Sequence, residues 1–287
     1  MVASCIFDPS FGTKLRRTYF LLRCRDVHKD GFFIIVNGLM LLGGKMITYS
    51  EYTDAGDREK NEDSLASLCD EQNGLFVLAD GLGGHGKGEY ASAAVVRTSI
   101  QMYDDNKEGF RLENSYERGQ EILLREQHEN NDLDGMKTTM VSLLIRRNAV
   151  KWAHIGDSRL YYFRKRKLVD RTLDHSVPQM LVSMGEIKEK DIRGHEDRNR
   201  LLRVMGSPWN EKCYTVSGDV KLNKNSAFLL CSDGFWENIY EEDMISCLKD
   251  ASDVNEWLAK MVEIVKKNGQ GKDMDNNSAI AVWFTKD

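Results

Sequence analysis

Four aspartates in this chain stand where an apolar run meets a turn. Asp80 follows Leu75-Phe76-Val77-Leu78-Ala79, Asp157 follows Trp152-Ala153-His154-Ile155-Gly156, Asp233 follows Phe228-Leu229-Leu230-Cys231-Ser232, and Asp275 precedes the apolar run at 278–284. A single Asp-Gly pair, such as Asp80-Gly81 or Asp233-Gly234, is most simply a hairpin turn. Four carboxylates placed alike at the ends of rigid elements have the makings of a metal site. Carboxylate oxygens without His or Cys partners favour hard cations, Mg2+ or Mn2+ rather than Zn2+. Two such ions about 4 Å apart acidify a water between them and clamp a phosphoryl oxygen.

A second charged segment, Gly56-Asp57-Arg58-Glu59-Lys60-Asn61-Glu62-Asp63-Ser64, suits the same chemistry. Arg58 offers a planar fork that matches a phosphate dianion, and Glu62 and Asp63 are able to hold metal-bound waters. Alone, this segment reads as a solvated loop. Beside the aspartates it reads as substrate capture.

The elements that must position these residues follow from periodicity. Alternation over 47–52 gives a strand, and short apolar runs give strands at 64–69 and 74–79. Val95, Val96, Ile100 and Tyr103 recur at helical spacing within 89–103, and a second helix is predicted over 112–128. Strands at 139–146, 150–155, 159–164 and 168–171 are joined by connections too short for a parallel crossover, so they pair antiparallel. Residues 174–205 read as short helical pieces inserted over one face. Strands follow at 213–220 and 227–231, then an amphipathic helix with Val254, Trp257, Leu258, Met261, Val262 and Val265 on one stripe, and a last strand at 278–284. Antiparallel strands with helices in separate blocks predict an α+β sandwich.

Composition narrows the function classes. The 287 residues, 41% hydrophobic and 30% charged, suit a folded domain with a real core. A formal net charge of −5 speaks against nucleic acid as partner. The one basic run, 164–167, reads as a solvated hairpin tip. Six cysteines without a C-x-x-C pair suggest neither a zinc ribbon nor a disulfide framework, and a reducing cytoplasm is the expected location. The apolar stretch 31–44 is too short to span a bilayer and lacks the features of a signal peptide, so no membrane partner is expected. Residues 1–45 lack clear periodicity and are read as a dispensable extension or the product of a start codon set too far upstream. The main domain is placed at 46–287.

The ordered motifs Arg58 to Asp63, Ala79-Asp80-Gly81-Leu82-Gly83-Gly84-His85-Gly86 with Gly88-Glu89, Gly156-Asp157-Ser158-Arg159, Cys231-Ser232-Asp233-Gly234 and Asp275-Asn276 resemble those of the metal-dependent protein phosphatases, the type 2C serine/threonine group, over residues 46 to 285. Bacterial-style members are the nearest in pattern. The resemblance implies a four-layer α-β-β-α sandwich, two antiparallel sheets packed face to face with helices outside, and a mobile flap at 174–205. It implies hydrolysis of phosphoserine and phosphothreonine with two Mn2+ or Mg2+ ions, Asp80 bridging both, the Gly81 carbonyl on one, and Asp233 and Asp275 on the other. Asp157 would hold a third, weaker ion shared with Asp233. Phosphorylated proteins are the implied substrates, with a serine/threonine protein kinase as the natural counterpart by analogy. Many eukaryotic members carry a His directly after the Asp-Gly of the second motif, proposed as general acid, where this chain has Leu82. His85 as a substitute, His85 as a shaper of the glycine turn, and a metal-bound water as the acid remain open readings.

Competing readings are weaker. Gly81 to Gly86 satisfies G-x-G-x-x-G after a strand, but Asp80 would meet the pyrophosphate with like charge. Gly88 stands where a Walker loop needs Ser or Thr, and no Cys has an Arg six residues later, as a cysteine phosphatase requires. A pseudophosphatase acting as a regulatory binding module is the alternative from another class, although such proteins typically lose metal ligands. His154, Trp152, Trp257 and Trp283 are expected in the core, and Arg198 and Arg200 on a solvent-facing flap.

Overall fold

The computed structural model describes residues 40–42, 45–70, 73–82, 87–133 and 135–286. By contacts the chain divides into Met1–Asp30 and Gly31–Asp287, and the first unit lies outside the described residues. So does most of the segment read as an extension, of which Met40–Leu42 forms an edge strand on Lys45–Asp54.

The strands are β1 (Met40–Leu42), β2 (Lys45–Asp54), β3 (Asp63–Cys69), β4 (Asn73–Leu82), β5 (Lys137–Thr138), β6 (Met140–Arg146), β7 (Ala149–Ile155), β8 (Arg159–Arg164), β9 (Lys167–Arg171), β10 (Thr215–Val216), β11 (Val220–Lys221), β12 (Ser226–Cys231) and β13 (Asn277–Lys286). The helices are α1 (Lys87–Asp105), α2 (Leu112–Glu129), α3 (Val177–Met184), α4 (Asp233–Trp236), α5 (Glu241–Asp250) and α6 (Val254–Gly269). One sheet runs β1-β2-β13-β12-β8-β9, the other β10-β7-β6-β4-β3, with β5 on β4 and β11 on β7. The named pairs are antiparallel throughout, as the short connections require.

Alternation along the strands sends side chains to opposite faces and builds three apolar layers. Phe76, Leu78, Val141, Leu143, Phe228, Leu230, Ile280 and Val282 fill the space between the sheets. Leu229, Ala281 and Tyr161 face the other way, onto Trp236, Trp257, Met261 and Val265 of the α4–α6 layer. Leu75, Val77 and Met140 meet Val95, Tyr103 and Tyr116 of α1 and α2. The result is the expected four-layer sandwich. The α6 stripe is buried as its spacing predicts, and Asp253 caps that helix by accepting from the Asn255 and Glu256 amides at 2.8 and 2.9 Å. Trp152, His154, Trp257 and Trp283 are buried, as expected, and the tip at 164–167 is exposed.

Two expectations need correction. The strand expected over 213–220 is two short pieces, β10 and β11, on β7. The Ser217 hydroxyl accepts from the Trp152 amide at 3.0 Å, so a side chain interrupts the ladder there. The strand expected to begin at 139 is broken at Thr139, whose amide donates to the Asp80 carbonyl at 2.9 Å. The helices α4 and α5 were not foreseen. Residues 174–205 do hold short helical pieces, α3 and a 3-10 segment at Glu189–Gly194.

Candidate metal and phosphate site

Register brings the aspartates together. Cys231 of β12 pairs with Ala279 of β13 and Arg159 of β8, so Asp233, Asp275 and Asp157, each a few residues beyond these positions, leave one sheet at the same edge. In the other sheet Asp63 pairs directly with Asp80. Ser232 joins the two edges: its hydroxyl donates to Asp63 Oδ2 at 2.8 Å and accepts from the Ser278 amide at 2.9 Å. Two close approaches need glycine. A Cβ on Gly81 would lie 2.3 Å from the Gly88 carbonyl carbon, and one on Gly234 would lie 2.2 Å from the Asn276 carbonyl oxygen.

The Asp80 backbone is held at both poles. Its amide donates to Thr139 Oγ1 at 3.0 Å and its carbonyl accepts from Thr138 Oγ1 at 2.8 Å. Thr139 Oγ1 also meets Ser158 Oγ at 2.7 Å, tying Asp80 to the Asp157 turn. Asn276 fixes the charged loop, accepting from the Glu62 amide at 2.7 Å and donating to the Ala55 and Lys60 carbonyls at 2.9 Å each. Behind Asp157, a fully buried Arg159 forks onto Asp174 at 2.8 and 2.6 Å. Asp174, expected at the start of the flap, is thus an anchor in the core.

The carboxylates feel one another strongly. Burial, then the charges of Asp233, Asp63, Asp157 and Asp275, push Asp80 well above the usual carboxylate range. Burial, then Asp233 and Asp174, does the same to Asp157. Asp63 is pushed up to about 7 by burial and by Asp233 and Asp275, against hydrogen bonds from Ser278 and Ser232. Asp233 is pushed up to about 6 by burial and Asp275, with a hydrogen bond from Asp80 working the other way. Asp63 Oδ1 is buried without a partner. Glu237, one turn on from Asp233, is pushed up to about 7 by burial and Asp233, offset by Arg198 at 3.5 Å.

Arg58 lies at the mouth, forked onto Asp275 with Nε to Oδ1 at 3.1 Å and Nη2 to Oδ2 at 3.2 Å. With Arg58 closed on Asp275 and Asp80 bonded to Asp233, no three His, Cys, Asp or Glu side chains among the described residues stand ready to hold an ion without rearrangement. The donor chemistry nevertheless fits a hard cation: oxygen donors alone, at one edge, with a buried unpartnered oxygen and mutual repulsion that a cation would relieve. Residues 83–86, including His85, lie outside the described residues. A cavity of about 660 Å3 lies elsewhere, between β7 and α3, lined by His154, Leu173, His175 and Met180.

Residues 54–278 match the family model for protein phosphatase 2C. The chain belongs to that family. The serine/threonine protein phosphatase PstP of Mycobacterium tuberculosis is 29% identical over 228 residues, 78% of this chain and 43% of the relative, so the chain spans less than half the length of that protein. The serine/threonine phosphatase Stp of Listeria monocytogenes is 32% identical over 240 residues, 80% of this chain and 93% of the relative. A crystal structure of the PstP catalytic domain in complex with two manganese ions is similar at 27% identity with a TM-score of 0.71, covering 84% of this chain and all of that one.

Sequence reasoning named the carboxylates but missed what holds them: Thr138, Thr139, Trp236 and Asp174, while Ser232 stood in a quoted motif without a role. A polar Thr-Thr pair directly before the apolar stretch that begins at Met140 was the one available signal. Arg159 and Asn276 were in the quoted motifs, without a role.

Proposed function

We propose that this chain is a metal-dependent phosphatase of phosphoserine and phosphothreonine in proteins. The observation that carries the reading is the convergence of Asp63, Asp80, Asp157, Asp233 and Asp275 at one edge of the sandwich, with Arg58 at its mouth. Asp80, the Gly81 carbonyl, Asp233 and Asp275 would hold two Mn2+ or Mg2+ ions, Asp157 would hold a third with Asp233, and Glu62 and Asp63 would act through water. When bound, the ions supply activation of the attacking water and neutralise charge on the phosphoryl oxygens. Arg58 orients the phosphate dianion through its planar fork. The Thr138–Thr139 pair and Asn276 keep the donors in place, so little rearrangement is left for the reaction itself. The breadth of protein substrates, a kinase counterpart and a cytoplasmic location belong to the same proposal. The four described cysteines are free, in keeping with a reducing compartment, and no helix among the described residues is long and apolar enough to cross a membrane.

The test is hydrolysis of a phosphothreonine peptide with Mn2+, with chelator, and by Asp233→Asn. Turnover that needs metal and is lost in the variant supports the reading. A folded protein inactive with every metal would instead be a binding module.

A further inference from the structure

We propose that Trp236 is a positioning residue for Asp157, holding its main chain in place through the indole N–H while Arg159 packs on its ring. The inference rests on the metal-dependent reading above. Trp236 is 2% exposed, and its indole N–H donates to the Asp157 carbonyl at 3.0 Å. The Arg159 guanidinium lies 3.4 Å from the ring centroid, and Arg193 lies 5.6 Å from it. Arg193 Nε also donates to the Trp236 carbonyl at 3.2 Å. The ring therefore cannot slide without loosening a cation contact. Arg159 is itself immobilised by its fork onto Asp174, so the clamp is anchored in the core.

A core tryptophan needs a partner for its N–H, and many acceptors would serve. Here the acceptor is the backbone of one candidate ligand, and the opposite side of the same turn is held through Ser158 and Thr139. Asp157 follows Gly156, whose φ of +94° favours glycine and whose carbonyl accepts from the His175 amide at 2.9 Å, so the Trp236 bond fixes the one peptide that these other ties leave. Partners of this kind fix a ligand's orientation, and their loss typically weakens metal binding by an order of magnitude or more.

The test is a Mn2+ binding isotherm by calorimetry for the full chain, for Trp236→Phe, for Asp157→Asn and for the double variant. Trp236→Phe keeps an aromatic ring beside Arg159 and removes the indole N–H together with part of the ring, a packing loss that the double variant with Asp157→Asn separates from the effect on Asp157. The weakest Mn2+ step is expected to weaken about threefold to tenfold, as for one lost hydrogen bond, with the tighter steps unchanged. In the Asp157→Asn background the same change is expected to do nothing more. Arg193→Gln, which removes the Nε donor to the Trp236 carbonyl, is expected to weaken the same step by a smaller factor and covers the case in which Trp236→Phe does not fold. An unchanged isotherm in the folded variants, or a shift that persists without the Asp157 carboxylate, overturns the inference. Failure of the phosphatase reading looks different: tight Mn2+ binding with no peptide hydrolysis removes the activity and leaves the positioning result intact. A chain that binds no Mn2+ at all overturns both.

Discussion

Replacing Asp233 by Asn is expected to stabilise the metal-free protein while removing its response to metal. Burial and the charge of Asp275 raise Asp233 from 3.8 to about 6. Between those values the folded chain holds a proton that the unfolded chain has released, so stability falls as pH rises through the window and the full cost is present above it. At 1.36 kcal/mol per pH unit, keeping Asp233 ionised at pH 7.5 costs roughly 3 kcal/mol. The residue is only part-buried and its neighbours relax, so about 1–2 kcal/mol is the working figure. Asn keeps an oxygen to accept the Gly234 amide and removes the charge. For a domain of this size, Tm in chelator should rise by roughly 3–6 °C. Saturating Mn2+ should then reverse the order, because only a chain that binds the ion gains from mass action. Differential scanning fluorimetry at pH 7.5, with EDTA and then with Mn2+, reads both. A variant no more stable than the parent in EDTA would refute the argument that burying an ionised Asp233 beside Asp275 is costly.

Arg58→Lys should lower kcat/KM for a phosphothreonine peptide about tenfold or more through the lost fork, with Tm nearly unchanged because the side chain is exposed; steady-state kinetics and a melt check both. Asn276→Ala removes three hydrogen bonds that tie down the Arg58 loop and should cost roughly 1–3 kcal/mol in urea unfolding, with a parallel loss of turnover. Metal-free protein should be more stable at pH 5.5 than at pH 7.5, since Asp63, at about 7, joins Asp80 and Asp157 in having a raised folded value; added Mn2+ should flatten the profile. Deleting residues 1–45 should leave peptide hydrolysis within about twofold of the full chain, as expected for a catalytic domain that begins at 46, and a larger loss would show that the segment contributes to the domain.

The strand and helix pattern was legible because burial on one face leaves a period in the sequence. Val95, Val96, Ile100 and Tyr103 gave α1, and the α6 stripe was read residue by residue. The carboxylates were legible because each breaks an apolar run at an element's end. Their supports were not. Thr139 holds Asp80 across a sequence separation of 59 residues, and Ser232 reaches Asp63 across 169. Such contacts depend on strand register, which leaves no local mark on either partner. The short helix α4 was hidden for a related reason: its four residues bury Gly234, Phe235 and Trp236 together and have too few turns to show a period. Asp174 read as part of a charged insertion because its partner, Arg159, lies 15 residues earlier at the start of β8.

The fork between Arg58 and Asp275 has a kinetic consequence. One guanidinium cannot grip a carboxylate and a phosphate dianion with the same pair of N–H groups. Until Asp275 finds another partner, an arriving anion meets a closed hand. With the roles proposed for Arg58 and Asp275, ligand addition would have a preferred sequence, cation first and anion second, and an excess of phosphate offered to the metal-free chain would compete with an internal rival already at hand.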